Sequence, residues 1–484
     1  FGSPLYYNQR DKGIHIQEGF PCFLTTAHSA ADLDRVFHAF ADSIHEMQQG
    51  GVLAAPAAVS AAPQQPQVAA ARVDAPVTVS APPPVAVSAP LTESQLEVFL
   101  SAQLDENASC CFNESVSLKL EGDLDEKALR QALDTVVARH EALRVRFDPH
   151  GESQRFDPAG PVDLAVVRLT MLDEAARTAQ LNRMVEEDAK LPFDLVNGPA
   201  FRAQLIELGA RSHILLFTAH HIVCDGWSMN VLLDELAQLY TAYRGGSQAA
   251  LPEPVRFSEY ARSQAGLFDG ADGQKLENYW LEQFREPVPL LDLPLDRPRP
   301  SSKSYEGATL RRKIDAETYR SLKKAGAQHK CTLFVTLLAG FQAFISRLSG
   351  QDDIVVGVPA AGQSLLDGET LVGHCVNFLP LRARFAGDPS VSAWLAAAKR
   401  SVLDAYDHQN YTYGRLIRKL SIPRDQSRLP LVEIQFNLER VGGGSPFADL
   451  TSEVDPNAKA FVNHDLFLNV MESPEGPTLD CDYN

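Results

Sequence analysis

Two adjacent histidines, an aspartate four residues beyond the second and a glycine beside it form the densest group of reactive side chains in the sequence: His220-His221-Ile-Val-Cys224-Asp225-Gly226-Trp-Ser228. A neutral imidazole with an ordinary pKa of about 6.5 takes and returns protons near neutral pH, so a histidine here can serve an incoming nucleophile. Asp225 can hold a loop or an arginine in place, and Gly226 allows a backbone turn that a Cβ would hinder. Other readings compete for the same residues. Paired histidines beside a buried strand are often packing or hydrogen-bonded groups. His221 and Asp225 at i, i+4 could share a helical face around a metal, but zinc sites usually need three or four protein ligands and no third stands at ligand spacing. Cys224 could be a nucleophile, although the apolar residues before it suit a buried, inert thiol.

The elements around this cluster must hold it in a cleft. Ile214-Leu-Leu-Phe-Thr-Ala is a short apolar run suited to a strand covered on both faces. After the cluster, residues 228–240 have helical periodicity with Ser228 as N-cap, closing at Gly245-Gly246. Such a strand-to-helix junction projects side chains and free N–H groups outward. Elsewhere in the chain, 116–122 alternates as a strand and 125–140 reads as a helix. Residues 332–348 read as an apolar helix leading through Gly350 to a strand at 353–358, and 466–471 and 479–484 read as strands. No short-period repeat is present. The layout predicts an α/β protein of two successive lobes, 91–255 and 256–484.

Ahead of the lobes, residues 51–90 are dense in proline and alanine, with Arg72 and Asp74 the charged exceptions, and predict an extended, semi-rigid linker. Residues 1–50 hold a strand-like stretch and an amphipathic helix (Leu33, Val36, Phe37, Phe40, Ile44) with Ser29 as its cap, too little for a domain. The 484 residues carry a net charge of −18, which repels phosphate backbones and anionic lipid, so neither nucleic acid nor a membrane is an expected partner. Seven cysteines without C-x-x-C spacing, and no apolar run of about 18 residues, predict a cytoplasmic chain without a disulfide framework. No P-loop or dinucleotide-binding glycine pattern appears, so no nucleotide or metal cofactor is expected.

His220-His221-x-x-x-Asp225-Gly226 resembles the H-H-x-x-x-D-G motif of the condensation domains of nonribosomal peptide synthetases. Six more stretches resemble that family in order. They are Leu91-Thr-Glu-Ser-Gln95, Arg139-His-Glu-Ala-Leu-Arg144-Val-Arg-Phe147, Phe257-Ser-Glu-Tyr260-Ala, Val372-Gly373-His-Cys-Val-Asn377-Phe-Leu-Pro-Leu-Arg382, His408-Gln409-Asn-Tyr-Thr-Tyr-Gly and Arg424-Asp425-Gln-Ser-Arg428-Leu-Pro430-Leu. One H-H-x-x-x-D-G is shared across a superfamily, whereas seven ordered matches over 91–438 are specific.

The resemblance implies a two-lobed pseudo-dimer of chloramphenicol-acetyltransferase-like α/β sandwiches with a tunnel between the lobes. It implies amide formation between an upstream carrier-bound acyl thioester and the amine of a downstream carrier-bound aminoacyl thioester. The phosphopantetheine arms of the carriers would be substrates, with no cofactor bound directly. By carry-over, His221 faces the attacking amine, either removing its proton or orienting it. His220 lines the tunnel beside it, and Asp225 makes a structural ion pair with Arg144 or Arg382. Gly226 offers a backbone N–H to the developing oxyanion, and Asn377 and Arg382 shape the bridge between the lobes. The histidine pair argues against the heterocyclising relatives, which carry aspartates there. The absence of an extra early histidine motif argues against the dual epimerising ones, and the retained His221 and Asp225 argue against the catalytically dead recruitment domains.

Residues 12–28 and the helix after them resemble the carboxy-terminal end of glutamate-1-semialdehyde-type aminotransferases of hybrid polyketide–peptide synthetases, without the pyridoxal-binding lysine region. That implies an aminotransferase neighbour, a β-amino acyl donor and an adenylation domain in the same megasynthase. Family domains run some tens of residues beyond the last strand, so the second lobe is expected to be short at its carboxy terminus. A carrier-docking module without chemistry and a coenzyme A-dependent acyltransferase are the competing functions.

Overall fold

The computed structural model describes residues 87–484 apart from 248, 269, 366–369, 386, 423–424, 441–443 and 473–475. The expectations for residues 1–50 and for most of the 51–90 linker lie outside the described residues. The last four residues assigned to that linker, Val87–Pro90, form strand β1.

The continuous apolar run dictates the first lobe. Strand β7 (Ser212–His220) is buried at every residue from His213 onward, as a strand covered on both faces must be. It lies in a five-stranded sheet between β2 (Asn113–Gly122) and β6 (Phe201–Gly209), both antiparallel to it, with β5 (Leu164–Arg168) parallel to β6 at one edge. Helix α3 (Glu126–Arg139) and helix α5 (Gly226–Arg244) cover one face: Leu129, Leu133 and Val136 share a core with Leu232, Leu236 and Leu239 and with Leu118, Leu215 and Phe217 of the strands. Helix α4 (Glu174–Ala189) closes the other face over Ile206, Ile214 and Leu216. Beside them, β4 (Ser153–Phe156) pairs antiparallel with both β1 and β3 (Val145–Phe147) in a small three-stranded sheet.

The second lobe repeats the scheme with β8 (Ala308–Lys313), β9 (Asp353–Ala361), β10 (Val376–Arg384), β11 (Ile434–Arg440), β13 (Leu466–Glu472) and β14 (Thr478–Tyr483). They form one six-stranded sheet of order β10-β9-β11-β13-β14-β8. Helix α9 (Leu333–Ser349), capped by Thr332 and ended by Gly350 in the left-handed region, packs Leu338 and Ile345 against Val356, Val358 and Phe436. Helices α7 (Ala271–Gln283) and α10 (Val391–Asp407) add Trp280, Leu395 and Val402 to the same core. No single described helix is long and apolar enough to cross a membrane; α8 (Ala316–Gln328) and α9 pass that test together but meet at 101°, and α9 is part of this core.

The lobes exchange chain. Strand β12 (Leu450–Pro456) follows the second lobe's β11 in sequence yet pairs antiparallel with β2 at the edge of the first sheet. Helix α6 (Phe257–Gln264) lies past the expected boundary at 255/256 but buries Phe257 and Ala261 in the first core, as do Leu371, Val372 and Cys375 from before β10.

A second connection joins α1 (Glu93–Ala102) of the first lobe to α11 (Tyr413–Lys419) of the second. Glu93 accepts the Thr412 hydroxyl at 2.8 Å and pairs with Arg415 at 2.6 Å, and Glu97 accepts the Gly414 N–H at 2.7 Å. Burial pushes the Glu97 carboxyl up to about 7, against the pull of the Gly414 amide and with the negative charge of Glu93 assisting. A carboxyl that binds its proton more tightly folded than unfolded destabilises the fold as pH rises from about 4.5 to about 7. Glu97→Gln keeps an acceptor for Gly414 and abolishes the ionisation. Melting curves between pH 4.5 and 8 should show the wild-type midpoint falling through that window more steeply than the variant's, with Glu97→Gln the more stable at pH 8.

Candidate active site

His220 is the last residue of β7 and His221 the first beyond it, and the two side chains meet different surroundings. His220 is fully buried, with Phe112 and Phe193 at ring-centroid distances of 5.8 and 6.2 Å. Its Nδ1 accepts the Ile222 N–H at 3.3 Å, and its Nε2 lies 3.4 Å from Oγ of Ser109 in the short helix α2 (Glu106–Cys110). Burial pushes its pKa down to about 3, and His221 adds to the shift, so this ring stays neutral. The enclosed ring joins the end of β7 to the residues that follow it through the Ile222 amide and to α2 through Ser109.

His221 leaves the sheet with its N–H bonded to Phe112 O at 2.7 Å and its side chain 25% exposed. Its Nδ1 is 3.0 Å from Nδ1 of His374, with the rings edge to face. Its Nε2 is 3.9 Å from Glu114 Oε1. That carboxylate accepts the Lys459 ammonium at 2.7 Å, and Lys459 also reaches Asn113 O at 2.9 Å. Burial works against both charges, but each outweighs it for the other: Glu114 is held below the usual carboxylate range, with His221 helping, and Lys459 above the usual lysine value. The imidazole thus borders an ion pair whose members come from strand β2 and from the loop after β12.

Asp225 has no exposure and caps α5, accepting the Ser228 N–H at 2.8 Å on Oδ1. The cap falls three residues before the expected Ser228, because the carboxylate reaches the third helical amide while the serine hydroxyl turns inward to the same oxygen at 2.7 Å. The expected ion pair with Arg144 or Arg382 does not form. Oδ2 accepts Gln363 Nε2 at 2.8 Å and the Cys375 N–H at 3.1 Å, and Ser228 Oγ accepts the Gly373 N–H at 3.0 Å. Amide and hydroxyl donors at a helix N-terminus satisfy the charge without an arginine.

Both candidate arginines serve elsewhere. Arg144 donates to Val137 O at 2.9 Å, to Ala138 O at 3.3 Å and to Asp157 O, fastening the end of α3 to the residue after β4. Arg382 forks onto Asp353 at 2.8 and 2.7 Å and reaches the carbonyls of Gln283, Glu286 and Pro287, all within the second lobe. Asn377 donates to Gln409 O at 2.5 Å and Tyr411 O at 2.8 Å and accepts the Tyr413 N–H at 3.2 Å. It holds the turn that leads into α11, and so the latch to α1.

Gly226 opens α5 and is exposed, with no left-handed φ, so the turn does not require glycine. A Cβ there would meet Glu439 Oε2 of β11 at 3.6 Å, an ordinary contact. The strict glycine is Gly373, at φ +150°, where a Cβ would overlap the Phe257 ring. Glu439 is held by Asn469 at 2.7 Å, and burial pushes its carboxyl up. Cys224 is fully buried with its thiol pushed well up by burial and by Asp225, which fits an inert thiol. Among the described residues no group of three histidines, cysteines or carboxylates could hold a metal, and the cysteines are free.

His374, Glu114, Lys459, Gln363 and Glu439 are site residues that sequence reasoning misses. His374 lies inside the fifth motif, where its type is the available signal; Lys459 reaches Glu114 across 345 residues, and nothing local marks that pairing. A cavity of about 540 Å³, lined by Gln131, Thr135, Leu239 and Tyr243, lies at the opposite end of α5 from His221.

The signature described as "Condensation domain" matches residues 85–484. The chain belongs to that family. A linear gramicidin synthase of Brevibacillus parabrevis is 34% identical over 401 residues, 82% of this chain and 8% of that protein. Chondramide synthase of Chondromyces crocatus is 33% identical over 361 residues, 74% of this chain and 9% of that protein. The chain thus spans under a tenth of the length of these curated relatives. Among solved structures, the X-domain from teicoplanin biosynthesis superposes with a TM-score of 0.72 at 26% identity, over 81% of this chain and 89% of that one. The first condensation domain of the CDA synthetase has the same fold, with a TM-score of 0.71 at 23% identity over 82% and 91%. The two-lobed, chloramphenicol-acetyltransferase-like α/β architecture implied by the motifs is therefore the architecture of this condensation domain. Members of the family are acyltransferases that form C–N bonds.

The Asp225 network makes a sharp prediction. Asp225→Ala leaves the buried donors of Gln363, Cys375 and Ser228 unsatisfied and should cost about 3–5 kcal/mol in denaturant titrations, whereas Asp225→Asn, which keeps one acceptor, should cost about 1–3 kcal/mol.

Proposed function

We propose that this condensation domain joins an acyl thioester on an upstream carrier to the amine of an aminoacyl thioester on a downstream carrier, with His221 at the reacting amine. The observation that carries the reading is His221 itself: a partly exposed imidazole at the meeting of the two lobes, held by a backbone bond on one side and by a second-lobe histidine on the other. The amine nitrogen attacks the thioester carbon, the C–N bond forms, the C–S bond breaks, and the proton lost by the amine ends on the departing thiol. His221 Nε2 holds that proton in transit or fixes the amine for attack. General-base help is worth about 10²–10⁴ in rate, and holding both reactants in place contributes about 7–11 kcal/mol. Gly226, at the first position of α5, offers its N–H to the oxyanion, where the positive end of the helix favours developing negative charge.

The phosphopantetheine arms are the handles of both substrates, entering between the lobes from opposite faces. Resemblance of residues 12–28 to an aminotransferase terminus supports a finer reading. In it the domain works in the cytoplasm, in a hybrid polyketide–peptide synthetase beside aminotransferase and adenylation domains, and its donor is a β-amino acyl chain.

Mass spectrometry of carriers loaded with a β-amino acyl group and an amino acid tests the reading. The wild type should give the amide on the downstream carrier, and His221→Ala should lower its rate by about 10²–10⁴ with both carriers still bound. Equal rates for the two proteins would mark a docking module, and product from acyl-coenzyme A in place of the upstream carrier would mark a coenzyme A-dependent acyltransferase.

A further inference from the structure

The second lobe supplies a side chain that this mechanism does not use. His374 lies in the segment 371–375, which Asp225 and Ser228 draw against the start of α5, and only 6% of it is exposed. Its Nδ1 stands 3.0 Å from His221 Nδ1, with ring centroids 5.0 Å apart and an interplanar angle of 79°. Burial pushes the pKa of His374 well below the ordinary histidine value, with His221 and His220 pushing the same way, so the ring is neutral.

Two imidazole nitrogens at that distance share one hydrogen, so one ring donates and the other accepts. If His374 donated, His221 would carry its hydrogen on Nε2 and its lone pair would be used up at Nδ1. If His221 donates, Nε2 carries the lone pair. On that side Glu114 Oε1, which accepts from Lys459 at 2.7 Å, stands 3.9 Å from Nε2, beyond hydrogen-bond reach. At 3.9 Å a hydrogen on Nε2 would make no hydrogen bond to Glu114, whereas a hydrogen on Nδ1 makes one to His374 at 3.0 Å.

We propose that His374 is a positioning residue that accepts the Nδ1–H of His221, so that His221 presents a bare Nε2 to the substrate amine. This rests on the reading that His221 faces that amine. When Nε2 takes the amine proton, the Nδ1–H bond to His374 becomes charge-assisted and strengthens, and when the proton passes to the departing thiolate it relaxes again. His374 itself gains and loses nothing. It performs for His221 the orienting task that a carboxylate performs in a serine–histidine–aspartate constellation, without a charge of its own. Because His374 belongs to the second lobe, the tautomer of His221 is set only while segment 371–375 stays seated against α5.

The experiment compares condensation kinetics of His374→Ala, His374→Gln and His374→Phe, alongside His221→Ala. His374→Ala should lower kcat by about 10–100-fold with KM for both loaded carriers unchanged. His374→Gln, whose amide oxygen can accept the hydrogen, should recover most of that loss, while His374→Phe, which fills the space without an acceptor, should not. The His221→Ala/His374→Ala double variant should be no slower than His221→Ala alone. In ¹⁵N spectra of the histidine-labelled protein, His221 should carry its hydrogen on Nδ1. Equal activity of the Gln and Phe variants, or a His221 hydrogen on Nε2, overturns the proposal. Full activity of His221→Ala would instead overturn the underlying reading of the site, and a crippled His221→Ala beside an unaffected His374→Ala would overturn the role of His374 alone.

Discussion

A carboxylate without any solvent exposure must find donors inside the protein, and the donors that Asp225 finds come from both lobes. Its own helix supplies the Ser228 amide and hydroxyl, and the second lobe supplies Gln363 and the Cys375 amide. Charge-assisted bonds of this kind are stronger than neutral ones, and removing either partner leaves a buried group unsatisfied. The position of segment 371–375 therefore follows from the charge. Gly373 has to lie against the Phe257 ring where no Cβ fits, and His374 has to meet His221.

The exchange of strand β12 serves the same place. Pairing with β2 carries the chain along the first sheet, and Asn457, just beyond the strand, bonds Ser115 and Ser117. Shortly after it Lys459 reaches Glu114, the neighbour of Asn113, which pairs with His220 at the start of the β2–β7 register. A segment that would be an irregular excursion of the second lobe thus provides the cation that keeps the Glu114 carboxylate ionised beside His221. The imidazole is bordered by a neutral histidine on one nitrogen and by a carboxylate compensated by Lys459 on the other.

Much of this frame is legible in the sequence because it rests on local pattern. The run 214–219 is apolar without alternation because β7 is covered on both faces, and Thr332 and Gly350 bracket α9 because a hydroxyl cap and a left-handed glycine are what helix ends require. The pattern alone puts the cap of the helix after the site at Ser228, since either polar residue can cap. The carboxylate wins, because its cap also satisfies a buried charge. The arginines fail as partners for a related reason. The resemblance makes Arg144 and Arg382 candidates, but carbonyls at the end of α3 and the Asp353 carboxylate claim them, while neutral amides remote in sequence reach Asp225. Gly226 has the residue type of a turn glycine, and its backbone shows no such need. His374, Glu114 and Lys459 are invisible as a group because no periodicity records which loops meet across two lobes.

The claim on which the rest depends is that the Asp225 carboxylate seats the second-lobe segment against α5. Native-state hydrogen exchange of the Gly373 and Cys375 amides in wild type and Asp225→Asn measures this directly. The account predicts that in the wild type both amides exchange as slowly as those of β7, and that in the variant they lose protection together while β7 keeps its own. Unchanged protection of Gly373 and Cys375 in the variant would contradict it.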